Sequence, residues 1–452
     1  MHDERSMRRL LVLFVVGCAG SSSHPPPQTS EAVIAIRVDQ IEALPAEAID
    51  APLQPYAIGV RSVRFTATTA LRKGPDTTAA KVGVIRKGTR VVATGSAPAS
   101  AGCKLRWIQI SPRGWACEDV LVPTTDAPTV ATADPPMRGV YGVVRGKEVQ
   151  AFASAAEIKA GTGRVLIGQN SVRAAGSMTI EGRRFWRTSE GELIDAKAIA
   201  RFSPSKFEGV VVERGAKLPA WLRSHRDPYQ PVTTYAANGN RTGTLPRRMV
   251  VELLEESGTR VRVTETAWVE RVDVRVATLS APPSGTRPDE KWFDVDLDQQ
   301  VLVAYEGKHP VFATLVSTGK REHYTPTVIT RLITKHERAD MTSDDDDVYS
   351  VADVPWTMYY DGNYALHTSY WHDGFGGPRS HGCINLAPRD ARRLYHWSSP
   401  DVPPGWVTVY GDAETPGSLV RVRSSRDPGP AFRGYARAIR DREQLVAAVA
   451  HP

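Results

Sequence analysis

A chain of 452 residues exceeds one ordinary core, and its 33 prolines and 36 glycines favour short strands and turns over long helices. With 41% apolar residues it is globular rather than disordered. The net charge of +7 is dispersed along the chain, which argues against nucleic acid as a partner and leaves solvated arginines as its simplest explanation.

Arg8-Arg9 precede a short apolar run, Leu10 to Val16, followed by Gly17-Cys18 and a Ser/Pro-rich stretch. This reads as an export signal. Seven apolar residues fall short of the roughly twenty a spanning helix needs. Val15-Val16-Gly17-Cys18 resembles a bacterial lipobox, which implies cleavage before Cys18 and its lipidation. By that analogy Ala19 favours the outer membrane, so a periplasmic or envelope lipoprotein is expected. Residues 19–58 then form a low-complexity tether.

Residues 59–124 show short β-rich runs, Lys81 to Ile85, Arg90 to Ala93, Arg106 to Ile110 and Gly114 to Cys117, separated by Gly/Pro turns. The Ala-Leu-Arg-x-Gly-Pro opening at residue 70, the Lys-Gly-Thr turn and the closing Gly-Trp-Ala resemble the bacterial Src-homology-3-like barrel often joined to cell-wall enzymes. Residues 136–203 and 207–279 echo it, so three small barrels in series are expected. Trp115, Trp186 and Trp268 fit core or hinge positions better than exposed ligand platforms. Residues 280–290 read as a linker, residues 291–411 as a β-rich catalytic domain with few short helices, and residues 412–452 as an arginine-rich tail. The fold class is thus mainly β and multidomain.

In an exported chain Cys103 and Cys117 can pair as a disulfide, which leaves Cys383 as a free thiol that needs a reason. The reason lies in Ser380-His381-Gly382-Cys383-Ile384-Asn385 with His367 sixteen residues before the cysteine. A thiol, imidazoles and a glycine so placed supply a nucleophile, a base and a backbone that admits a substrate. His367 is the candidate base. Gly382 and Cys383 are the candidate oxyanion donors. His381 is read as a brace of the cysteine loop, and Ser380, Asn385 and Trp371 as loop support or substrate contacts.

Residues 292–410 resemble the catalytic domain of the L,D-transpeptidases, the YkuD-type fold. Val316-Ser317-Thr318-Gly319, Tyr324-Thr325-Pro326-Thr327, Val354-Pro355-Trp356 and Trp371-His372-Asp373 support the match. Thr368 and Val328 depart from it, standing where members often carry glycine. The resemblance implies that the Thr368 carbonyl orients His367, and that Cys383 attacks the carbonyl before the terminal D-residue of a peptidoglycan tetrapeptide stem. The stem is then held as a thioester and resolved by an amine. No cofactor and no metal are expected, and a monomer is. A papain-like wall hydrolase places its cysteine before its histidine, opposite to the order here. An L,D-carboxypeptidase and an inactive wall-binding lipoprotein remain as alternatives. Zinc lacks a fourth ligand with repeated spacing, and Asp344 to Asp347 lacks the alternation of a calcium loop, which favours a solvated insertion.

Overall fold

The first strand-forming stretch of the C-terminal region, Trp292 to Asp296, is apolar or paired on both faces. It sits in a sheet buried on both sides. The structure, a computed structural model, describes residues 55–146, 148–166, 169–343 and 349–450. The export signal, Cys18, most of the tether and the Asp344–Asp347 run lie outside the described residues. The architecture is mainly β, with few short helices.

Ten strands build the C-terminal region: β1 (Lys291–Asp296), β2 (Val301–Glu306), β3 (His309–Leu315), β4 (Val328–Arg331), β5 (Thr334–Ser343), β6 (Tyr349–Asp361), β7 (Tyr364–Thr368), β8 (Ile384–Leu386), β9 (Trp406–Tyr410) and β10 (Leu419–Arg423). The helix α1 (Pro388–Trp397) follows β8, and α2 (Gly434–Ala450) follows β10. Pro388 opens α1, where a missing N–H costs nothing.

One sheet runs in the order Val210–Val211, β3, β2, β1, β10, β4, with β1 and β10 parallel. Its side chains alternate. Phe293, Val295, Leu302 and Ala304 face Leu366, Ile384, Met358 and Tyr360 of a second sheet, with Leu394 and Tyr395 of α1 closing that core. Trp292, Val301, Val303 and Tyr305 face the other way, toward Trp221, Val212, Ala277 and Phe375. Burial on both faces is why β2 reads as an unbroken apolar run.

The stretch expected to be a tail instead supplies β10, inserted between β1 and β4. Its arginines are neutralised rather than solvated: Arg421 and Arg423 bond Asp294, which is 2% exposed, and Arg423 also bonds Asp296. Residues 280–290 are docked, with Ser280 Oγ donating to Asp294 at 2.8 Å and Glu290 paired with buried Arg331.

Some N-terminal strands form small sheets of their own and others share a sheet with C-terminal strands, and no pairing among the described residues closes any of them into a barrel. They continue into the C-terminal region instead. Lys81–Ile85 pairs antiparallel with β9, and Trp406 and Val409 enter the core of residues 63–121. Gln169–Ser171 pairs parallel with Tyr349–Val351. Gly83 is required at the first junction, because a Cβ there would overlap the Trp406 ring. Cys103 and Cys117 are disulfide-bonded with Cα atoms 5.5 Å apart. Trp186 and Trp268 are buried, and Trp115 is half-buried. No helix of the described residues is long and apolar enough to cross a membrane.

Candidate active site

Strands β7 and β8 run parallel, with Leu366 beside Ile384, His367 beside Asn385 and Thr368 beside Leu386. This brings the histidine and the cysteine loop, sixteen residues apart in sequence, to adjacent backbones. His367 is 2% exposed, and its Nδ1 lies 3.0 Å from the Thr368 carbonyl oxygen. A carbonyl can only accept, so Nδ1 carries the hydrogen and Nε2 keeps its lone pair. Burial holds the His367 pKa down to about 4, so the ring is neutral near pH 7. Trp371 lies alongside, with ring centroids 5.8 Å apart.

Cys383 is the free cysteine among the described residues and is half-buried. Its sulfur lies 3.7 Å from the Asn363 carbonyl, toward which the thiol donates. Burial pushes the thiol pKa up to about 11, against the weaker pull of the Ala365 N–H. Both shifts keep the proton on sulfur at rest. The pair is therefore a neutral thiol and a neutral imidazole, not a standing thiolate–imidazolium pair.

The cysteine loop is tied internally. Ser380 Oγ donates to the Cys383 carbonyl at 2.5 Å and accepts from the Gly382 N–H at 3.1 Å. The expected oxyanion pair is thus half occupied: Gly382 N–H is engaged by Ser380, while Cys383 N–H bonds nothing among the described residues. Gly382 has φ +113°, and a Cβ on it would sit 2.5 Å from the Tyr364 ring, so glycine is demanded twice over. Thr325 Oγ1 donates to the Gly382 carbonyl at 2.7 Å and accepts from Gly319 N–H at 2.8 Å. The His381 ring packs on His323, centroids 4.4 Å apart. Thr368, without glycine's freedom, sits in an ordinary strand conformation at the end of β7.

Asn385 is 2% exposed, and its side-chain amide lies 3.1 Å from His372 Nε2. His372 Nδ1 accepts from Gly374 N–H at 3.2 Å, so Nε2 must carry the ring hydrogen. The amide therefore meets it with its oxygen, a half-turn of the group that also gives the otherwise unpartnered Oδ1 its bond. Burial, reinforced by the nearby Arg379 charge, holds the His372 pKa down to about 3. Sequence reasoning assigned no role to His372 or Thr325, although both lie in the quoted supporting segments. It also missed Arg247 and Arg248, which bond Asp373 at 2.7 and 2.6 Å from 126 and 125 residues upstream. No local signal marks such a long-range pairing. Among the described residues no His, Cys, Asp and Glu side chains group as a metal site would require.

Residues 290–421 match the family model of the YkuD L,D-transpeptidase catalytic domain. The matched segment holds β1 to β9, most of β10, and His367, Cys383 and the cysteine loop, while Arg247 and Arg248 lie outside it. No curated protein matches the chain. Among solved structures, the L,D-transpeptidase from Stackebrandtia nassauensis is 23% identical over 34% of this chain and 62% of its own, with a TM-score of 0.24. The catalytic domain of an E. faecium L,D-transpeptidase is 25% identical over 30% of this chain and 98% of its own, TM-score 0.24. The L,D-transpeptidase from Mycobacterium smegmatis is 18% identical over 48% of this chain and 100% of its own, TM-score 0.25. The chain spans less than two thirds of the length of the Stackebrandtia structure.

Proposed function

We propose that this protein is a peptidoglycan L,D-transpeptidase in which Cys383 is the acylated nucleophile and His367 its base. The observation that carries the reading is the Nδ1–Thr368 bond, which leaves a basic Nε2 on the strand beside the cysteine within the YkuD-matched segment. The Cys383 sulfur attacks the carbonyl that precedes the terminal D-alanine of a tetrapeptide stem. Its proton passes to His367 Nε2 as the S–C bond forms. The imidazolium returns that proton to the leaving amine, D-alanine departs, and the stem remains as a thioester. Cys383 N–H is the available oxyanion donor, and removal of one such donor typically costs about 3 kcal/mol of transition-state stabilisation. An acceptor amine, from a neighbouring stem or a protein lysine, then displaces the thiol. Cys18 would anchor the enzyme to a membrane in the cell envelope.

The test is incubation of the purified protein with disaccharide-tetrapeptide, beside Cys383→Ala. A stem-sized mass on the intact protein, D-alanine release and loss of both in Cys383→Ala are the expected results. A cross-linked product names an amine acceptor and a tripeptide product names water. Absence of any adduct with intact substrate rejects the enzymatic reading.

A further inference from the structure

The loop between His367 and Cys383 is flanked by arginines from residues 223–275. Arg247 and Arg248 both bond Asp373, and Arg275 Nε donates to the Gly376 carbonyl at 2.8 Å. Those three have acceptors. Among the described residues the guanidinium groups of Arg223 and Arg379 have none. The Arg223 guanidinium lies against Gly377, and that of Arg379 against Gly374, each in space that a Cβ would fill. Tyr229 is flanked by Arg379 at 5.3 Å and Arg247 at 5.9 Å from its ring centroid. Arg223 Nε is buried with no hydrogen-bond partner among the described residues. The seam therefore gathers five guanidinium groups around two carboxylates. One of these, Asp373, is taken by Arg247 and Arg248, and the other, Asp273, bonds His225 at 2.8 Å.

Like charges held together without an anion are unfavourable, and the cost grows with burial. Arg223 registers it: burial, then the Arg379 charge, lowers its pKa, and the Asp273 carboxylate offsets this only in part. Arg379 precedes Ser380 directly, and its charge also reaches His372, the partner of Asn385. The cationic pair thus borders the reacting centre.

We infer that Arg223 and Arg379 form an anion subsite that takes a carboxylate of the peptide stem, across the seam between residues 207–279 and the cysteine loop. The planar fork of a guanidinium suits a carboxylate, and these two half-buried forks, that of Arg379 beside Tyr229, can hold one while the peptide backbone runs toward Cys383. Glycine at 374, 376 and 377 is what lets both side chains lie on the loop. The inference rests on the transpeptidase reading for the identity of the ligand, and the region 207–279 becomes part of the substrate site rather than a spacer.

The experiment uses the full chain carrying Cys383→Ala and measures binding of a tetrapeptide stem with free carboxylates against the same stem with its carboxylates converted to carboxamides. The acid is expected to bind about tenfold tighter or more, in keeping with bonds to a charged acceptor. Arg223→Gln and Arg379→Gln should each bring the acid down to the level of the amide and leave amide binding unchanged, while Arg379→Lys retains part of the preference. Neither glutamine variant should melt below the parent without ligand, since each removes a repulsion. Equal binding of acid and amide by the parent overturns the subsite, as does a preference that survives both substitutions. Tighter binding of inorganic phosphate than of the stem also overturns it, in favour of a phosphate-bearing ligand. Cys383 acylation without carboxylate preference defeats the subsite alone. Carboxylate-dependent binding without acylation of the unsubstituted chain defeats the transpeptidase reading alone.

Discussion

Alkylation of Cys383 by iodoacetamide across pH tests whether the resting site is a neutral pair. A thiol pKa pushed up to about 11 leaves on the order of one thiolate in ten thousand at pH 7, whereas an ordinary thiol near 8.5 has about three in a hundred. The shift from 9.0 corresponds to about 3 kcal/mol against the thiolate. Cys383 should therefore alkylate about two orders of magnitude more slowly than a free thiol at pH 7, and the rate should keep rising roughly tenfold per pH unit through pH 10. Acylation by stem peptide should behave differently. It needs only a neutral His367, so kcat/KM should rise as pH climbs through about 4 and then stay level to pH 8. An alkylation rate that levels off below pH 8 would refute the argument, because it would require a thiolate already stabilised by the imidazolium.

Acid should unfold the protein steeply. His367, His372 and His396 have pKa values held down to about 4, 3 and 4 by burial, so an unfolded chain takes up protons between pH 6.5 and 4 that the folded one refuses. Stability from these rings is full above pH 6.5 and falls by several kcal/mol as pH drops through that window, offset in part by Asp390, whose carboxyl is raised to about 7 by burial so that the folded chain takes up that proton first; urea unfolding at pH 7 and pH 5 would measure the net loss, and equal midpoints would contradict it. Gly382→Ala should lose activity by about a hundredfold or more while the far-UV spectrum stays unchanged, since its Cβ meets the Tyr364 ring and its φ is left-handed. Asp294→Ala strands Arg421 and Arg423 beside a buried position and should cost about 3–5 kcal/mol in denaturant unfolding, with a loss under 1 kcal/mol counting against β10 as a core strand.

The candidate site was legible as a motif because it is local: His367 lies on β7, and the loop of Ser380 to Cys383 leads straight into β8, the neighbouring parallel strand, so sequence order and spatial order agree. The apolar runs of β1 to β3 announced themselves in the same way. What stayed hidden depends on partners far along the chain. Leu419 to Arg423 reads as a charged tail until Asp294 and Asp296 are seen to neutralise its arginines. The occupation of Gly382 N–H by Ser380 turns on the rotamer of one hydroxyl, which no spacing reveals. Self-contained barrels were the natural expectation for residues 59–279, since short strands between Gly/Pro turns carry no sign of where their outer edges pair. Trp406 and Gly83 fit each other across the join, and neither is distinctive alone.

Pairing of Gly83 with Val409 means that one of the earliest strands of the described chain waits for one of the last. Neither a nascent N-terminal half nor a truncated C-terminal half can satisfy that edge by itself. Each would carry an open row of backbone donors and acceptors next to bare apolar surface, the setting in which separate molecules zip together. Maturation of this protein is therefore tied to completion of the whole polypeptide, and constructing its C-terminal portion in isolation should yield material prone to self-association.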